Sequence, residues 1–423
     1  MILTNTHPHQ RSPISRLSLS HMFSRRTDWK LTPNRFTQAQ HELHAAGREV
    51  LDLSISNPTR AGFDYDRQAI LRAFNNPAAL DYDPQPKGLL GARQAVAEYY
   101  RHRGKVNAES LVLTTSTSEG YSFVFRLMCN PEDEVLVPKP SYPLFEFLAD
   151  LQDVKLIPYP LLYDHGWQID FPSLDRALTP RTRAVVLVHP NNPTGHFTKL
   201  TEARELAAIC REHELALIVD EVFLDYGLGD GVEPGGDRSS FAARELDIPV
   251  FIVSGISKIC ALPQMKAAWL VAVGPGSEEA LTRLEVVADT YLSMNAPVQE
   301  ALPVWLEGRA GVQTQIRDRT RSNLTELDRV LATQSDEHGG SPLVNRLRVE
   351  GGWYAVLRVP AIQPDEITSL ELLKLGVLVH PGYFFGMAES GWLVVSLLAQ
   401  TREFSLGVSE LLGYFRRYQG SYL

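Results

Sequence analysis

The feature that most restricts the fold of this sequence is a series of short runs that are apolar at nearly every position. Leu111-Val-Leu-Thr-Thr115, Glu134-Val-Leu-Val137, Ala184-Val-Val-Leu-Val188, Leu215-Ala-Leu-Ile-Val219 and Val250-Phe-Ile-Val253 are too short for helices and lack the alternation of a half-wet strand. Stretches with helical periodicity lie between them. After the first run, Tyr121, Val124, Phe125 and Met128 fall at i, i+3, i+4 and i+7; after the third, Leu206, Ile209, Cys210 and His213 share a face. Strands apolar on both faces, with helices between them, build a mostly parallel sheet covered on both sides. The fold class is therefore α/β. The chain before about residue 65 and after about 305 reads as a smaller α+β domain, with strands at Trp353–Leu357 and Leu393–Leu397.

In such sheets ligands sit beyond the carboxyl ends of the strands. Four runs are followed within a few residues by polar groups: Thr115 to Ser118, Asn191 and Asn192, Asp220 and Glu221, and Ser257 and Lys258. Polar residues converging on one sheet edge mark the expected site.

The bulk properties narrow the classes. With 423 residues, 44% of them hydrophobic and 22% charged, the chain has globular composition and length for a large and a small domain. A net charge of −9 argues against a general nucleic-acid surface, and no run approaches the ~20 apolar residues of a membrane span. Cys129, Cys210 and Cys260 are too few and scattered for a disulfide framework or a zinc site, so no metal is expected and the cytoplasm is the expected compartment. Residues 1–22 carry Arg11 and Arg16, many serines and no acid. They read as a disordered tail, as a transit peptide, or as an over-long start ahead of Met22. The expected division is 1–22 tail, 23–66 joining the small domain, 67–304 large domain and 305–423 small domain.

Each polar position has a chemical reading and a plain one. Lysine is scarce, nine against 32 arginines, which singles out Lys258 after an apolar strand. Burial there depresses an amine's pKa and frees its lone pair for imine formation; the plain reading is a lysine that snorkels to the surface. Asp220 ends a buried strand, where a carboxylate is costly without a cation; it also suits a loop cap. Asn192 offers an amide donor, or plain turn chemistry beside proline. Thr117 and Ser118 open a helix whose free N–H groups suit a phosphate, or an ordinary cap with Glu119 in the first turn.

Together these residues resemble the fold-type-I pyridoxal-phosphate family, the class I/II aminotransferases, across roughly residues 30–420. Asn192-Pro-Thr-Gly195, Asp220-Glu-Val222 and Ser257-Lys258, with Tyr82…Gly88 ahead of them, stand in the family's order and spacing. The resemblance implies a seven-stranded-type sheet and pyridoxal 5′-phosphate held by Lys258 as a Schiff base, with Lys258 then shuttling a proton. It implies Asp220 on the pyridine nitrogen, Asn192 on the phenolate oxygen and Tyr142 stacked on the ring. Thr117, Ser118, Ser257 and Lys266 would lie on the phosphate. It implies a homodimer, with Tyr82 reaching the partner's phosphate, and as substrates an amino donor and a 2-oxo acid used in ping-pong order.

Four departures stand against the pattern. Phe223 replaces a tyrosine that bonds the phenolate oxygen, leaving Tyr226 as an alternative donor. Lys266 replaces a phosphate-gripping arginine, keeping the charge without the fork. Gly255 replaces a phosphate-binding serine, leaving Ser254 or Ser257 to substitute. Val394 aligns with the arginine that grips the substrate's α-carboxylate. Its replacement is expected at Arg60, then Arg402; otherwise the substrate sets an amine or apolar group against Val394 and Tyr383. Transamination is the leading reading. A pyridoxal-phosphate lyase or decarboxylase is the alternative, and a non-catalytic cofactor-binding relative the third.

Overall fold

The computed structural model describes residues 23–29, 31–143, 145–228, 237–334 and 342–420. The expected tail, residues 1–22, lies outside the described residues. A two-residue strand, β1 (Leu51–Asp52), precedes β2 (Leu111–Thr114), β3 (Glu134–Lys139), β4 (Lys155–Tyr163), β5 (Trp167–Ile169), β6 (Thr182–Val188), β7 (Ala216–Asp220), β8 (Val250–Gly255) and β9 (Ala268–Val273). The C-terminal part supplies β10 (Asn345–Arg346), β11 (Tyr354–Arg358), β12 (Val377–Leu378), β13 (His380–Pro381) and β14 (Trp392–Ser396).

The large sheet has the order β2-β9-β8-β7-β6-β3-β4-β5. From β8 through β7, β6 and β3 to β4 all neighbours are parallel. β9 runs antiparallel between β2 and β8, and β5 turns back antiparallel on β4. The sheet thus has one strand more than the seven expected. That extra strand, β5, pairs only with Leu161, Leu162 and Tyr163 of β4. Pro158 and Pro160 are register partners of Val137 and Lys139 on the β3 side and lie outside the β5 pairing, so the side toward β5 loses no ladder hydrogen bond to them. β4 and β9 are absent from the runs read in the sequence; in β4 the two prolines obscure the signal.

Alternation through the sheet explains the unbroken apolar runs. Val185, Leu187, Leu217, Val219, Val250 and Ile252 join one core cluster. Ala184, Val186, Ala216, Ile218, Phe251 and Val253 join a second. Each such buried aliphatic side chain contributes roughly 1.5–3 kcal/mol, so a polar residue in a run is excluded until the strand ends.

The smaller sheet, β10-β11-β14-β13, is antiparallel. Leu393 and Val395 of β14 pack with Phe404, Val408 and Leu411 of the helix Thr401–Gly420. Val394 points the other way, into the cluster shared with the large sheet. β1 pairs in parallel with β12, tying the N-terminal segment to the C-terminal part. No helix among the described residues is long and apolar enough to cross a membrane.

Candidate active site

β7 carries Asp220 to the sheet edge between β6 and β8, where it pairs with Val188 and Val253. The residue is only 8% exposed. Its Oδ1 accepts from the Val222 N–H at 3.0 Å and its Oδ2 from the Tyr121 hydroxyl at 3.3 Å. Burial pushes the carboxyl up to about 6, against those two hydrogen bonds and the charge of Lys258.

Lys258 sits on a short helix, Ile256–Ile259, that leaves β8 through Gly255. A Cβ on Gly255 would stand 2.8 Å from the Cβ of Ala268 and 2.9 Å from the Ala267 carbonyl oxygen. No serine fits there, which accounts for this departure from the family pattern. The amine of Lys258 lies 5.4 Å from the ring centre of Trp353 and 5.7 Å from that of Phe223. Burial pushes this amine down, and Asp220 opposes the shift. Asp220 and Lys258 are thus both drawn from their usual charged states, as expected where reactive groups are held in low dielectric.

The loop after β6 separates turn chemistry from availability. Asn191, not Asn192, builds the turn: its Oδ1 accepts from the Thr194 hydroxyl at 2.8 Å and its carbonyl from the Gly195 N–H at 2.8 Å. Asn192 is 8% exposed, and its buried side-chain oxygen has no partner among the described residues.

The helix Thr117–Met128 starts with Ser116 as cap, its Oγ accepting from the Glu119 N–H at 3.2 Å. The Glu119 carboxylate turns back to accept from the Thr115 N–H at 2.7 Å and the Ser293 hydroxyl at 2.9 Å. Ser116 and Glu119 fulfil the cap reading, and the side chains of Thr117 and Ser118 are partly exposed at the helix start. Ser257 is partly exposed, whereas Ser254 is buried with its hydroxyl 3.4 Å from the Glu221 carbonyl. Lys266 is exposed and takes a left-handed backbone, φ 54°, after the turn Pro263–Met265.

Tyr142 is half-exposed, and burial together with the charge of Asp220 pushes its phenol up. With Tyr383 it lines a recess of about 570 Å³. Phe223 is buried edge-on to Trp353, ring centres 5.2 Å apart. Tyr226 donates its hydroxyl to the Lys258 carbonyl at 2.6 Å, so it does not stand in for the tyrosine missing at 223.

Arg60 is exposed on the turn Pro58–Arg60, and Arg402 is exposed at the start of the C-terminal helix. Val394 is fully buried between Val356 and His380, so it offers no open wall to a substrate, contrary to its expected place there. Arg319, which the sequence did not single out, donates to the carbonyls of Ala61, Leu398 and Ala399 at 3.2–3.3 Å. Tyr82 is 86% exposed, far from being packed within its own chain. Sequence reasoning missed Trp353 and Tyr121 as site residues. Both are aromatics on core faces, where no local signal distinguishes them from packing.

This geometry has close counterparts. A family model described as "Aminotransferase class I and II" matches residues 48–404. The "Glutamate-pyruvate aminotransferase AlaA" of Escherichia coli (strain K12) is 32% identical over 386 residues, covering 89% of this chain and 93% of that protein. The "Alanine aminotransferase" of Mycobacterium tuberculosis (strain ATCC 25618 / H37Rv) is 28% identical over 391 residues, covering 89% of this chain and 88% of that one. The structure of an alanine aminotransferase from Pyrococcus furiosus matches with a TM-score of 0.78 at 22% identity, covering 90% of this chain and 96% of that one. An Escherichia coli aminotransferase matches with a TM-score of 0.78 at 25% identity, covering 96% and 99%. A match over most of the chain, on a sheet whose strand ends deliver a buried acid, a free carboxamide and a depressed lysine, makes this protein a member of the class I and II aminotransferases.

Proposed function

We propose that this aminotransferase holds pyridoxal 5′-phosphate through Lys258 and passes an amino group from an amino-acid donor to a 2-oxo acid in two half-reactions. The observation that carries the reading is Asp220 and Lys258 delivered to one strand-end edge, close enough to sense each other's charge, with burial pushing the acid up and the amine down. The residues fit the cofactor along its length. A protonated ring nitrogen would satisfy Asp220, and the carboxamide of Asn192 suits the ring's phenolate oxygen. Thr117 and Ser118 at a helix start, with Ser257 and Lys266, suit the phosphate. Tyr142 supplies an aromatic face.

When bound, the cofactor supplies an electron sink for charge developing at the donor's Cα. Asp220 would hold the ring nitrogen's proton in place, and Lys258 Nζ would take and return the proton at the donor's Cα, while Phe223 and Trp353 would keep water away from that amine. Two of the relatives are named for glutamate–pyruvate and alanine transfer, which makes alanine, glutamate and their oxo acids the first substrates to try. Arg60, then Arg402, is proposed to receive the α-carboxylate, with Tyr383 as a further substrate contact. Arg319 is committed to backbone carbonyls.

A homodimer is part of this reading. Leu80 is 90% exposed two residues from Tyr82, and Tyr82 lines one recess with Leu292, itself 39% exposed. Large apolar side chains left in water on one surface favour self-association, with Tyr82 reaching the second copy's phosphate site. The buried thiols of Cys210 and Cys260 support a cytoplasmic setting. The parallel pairing of β1 with β12 supports the proposed division at residues 66 and 304.

Borohydride reduction of cofactor-loaded protein, followed by peptide mapping, tests the assignment. The pyridoxyl group is expected on Lys258; finding it on Lys266, or on no lysine, refutes it.

A further inference from the structure

The side chain that touches Asp220 from behind has no role in the reading above. We propose that Tyr121 is a positioning residue: its buried hydroxyl donates to Asp220 and so keeps the shared proton on the cofactor's ring nitrogen and off the carboxylate. The inference rests on the pyridoxal-phosphate reading.

Packing explains the ring of Tyr121 but not its hydroxyl. The ring is 2% exposed and lies against Phe125 and Phe145, with centres 6.0 and 5.1 Å away. A phenylalanine would fill the same space. The hydroxyl makes one hydrogen bond, to Asp220 Oδ2 at 3.3 Å. A buried phenol needs such a partner, and burial pushes its pKa well up, so it stays a donor. Among the described residues Asp220 has one other donor, the Val222 N–H on Oδ1. That one is backbone, so Tyr121 is the side chain whose hydrogen bond tunes Asp220, alongside its burial and the charge of Lys258.

The placement is tied to the anion site by one rigid element. Tyr121 follows Thr117 by four residues on the helix Thr117–Met128, a rise of about 6 Å. The helix runs close under β8: a Cβ on Gly120 would meet Val253 at 3.2 Å, and Val253 is the register partner of Asp220. The helix whose start would face the phosphate thereby also presents Tyr121 to Asp220.

The sign of the effect follows from charge. A hydrogen bond to the carboxylate stabilises Asp220 when ionised more than when neutral. The proton between Asp220 and the ring nitrogen has two resting places, and the bond favours the one with Asp220 ionised. Lys258 and Tyr142 are the other titratable groups that sense this carboxylate. Removing the hydroxyl leaves both in place.

The test uses cofactor labelled with 15N in the ring, bound to the wild type and to Tyr121→Phe. The variant's ring-nitrogen resonance is expected to move toward the unprotonated position, with kcat falling roughly tenfold and KM nearly unchanged. Identical resonances in the two proteins overturn the proposal, whatever happens to thermal stability. In cofactor-free protein, the 13C-carboxyl titration of Asp220 should rise by about 0.5–1 pH unit in the variant; an unchanged midpoint also overturns it. This second arm stands even if the wild type fails to retain cofactor, an outcome that defeats the functional reading instead. Should Tyr121→Phe fail to fold, 3-fluorotyrosine in the natural sequence supplies a stronger donor. It should move both signals the opposite way, and no movement refutes the proposal.

Discussion

Asp220→Asn should make the cofactor-free protein more stable at pH 8, although it removes the carboxylate proposed to pair with the cofactor's ring nitrogen. The carboxyl of Asp220 titrates at about 6 in the folded chain, against ~3.9 in an unfolded one. At ~1.4 kcal/mol per pH unit, keeping it ionised in the fold costs about 3 kcal/mol at pH 8. Asparagine removes that cost. Its NH2 end cannot accept, so one of the bonds from Tyr121 and Val222 is lost, at about 1 kcal/mol. The net gain is ~2 kcal/mol at pH 8. The sign of the pH dependence is fixed because the folded pKa is raised. The penalty is absent below the unfolded value, grows as pH climbs toward 6 and is constant above it. At pH 5 it has fallen to about 1.5 kcal/mol, leaving a net advantage of only ~0.5 kcal/mol. Urea denaturation of both cofactor-free proteins at pH 8, 6.5 and 5 measures this directly. A wild type more stable than the variant at pH 8, or a difference flat with pH, would refute the reasoning. Added cofactor should reverse the order, because only the carboxylate pairs with a protonated ring nitrogen.

Two further outcomes follow from the departures in the sequence. Phe223→Tyr should lower the pH midpoint of the bound cofactor's absorbance change, since a donor near the ring oxygen favours the unprotonated imine; Tyr226 is already engaged by the Lys258 carbonyl, so an unchanged midpoint would mean that some other donor serves the oxygen. Arg60→Ala should weaken binding of the best amino-acid donor by roughly 2–5 kcal/mol without altering the cofactor spectrum; if it and Arg402→Ala both react normally, neither arginine receives the carboxylate and amine donors become the class to screen.

The sequence by itself determined the sheet and the edge at which its polar groups gather. Runs such as Ala216–Val219 must be buried on both faces, so the first polar residue after each run, Asp220 here, can only lie where the strand emerges. Lys258 and Asn192 follow the same logic, which depends on a few adjacent residues. Tyr121 was legible only as part of a helical apolar face, because its partner Asp220 is 99 residues away along the chain. Trp353 comes to Lys258 from the C-terminal part, beyond the reach of any local pattern. The family resemblance set Val394 opposite a substrate, yet pairing with Val356 and His380 and packing into the shared cluster closed it off. Asn191 and Asn192 are identical in type and adjacent, and only the hydrogen bonds of the folded loop decided which one builds the turn and which is left available. Local sequence dictates where a polar group can emerge from a core. What it meets there depends on segments that only tertiary packing brings within hydrogen-bonding distance.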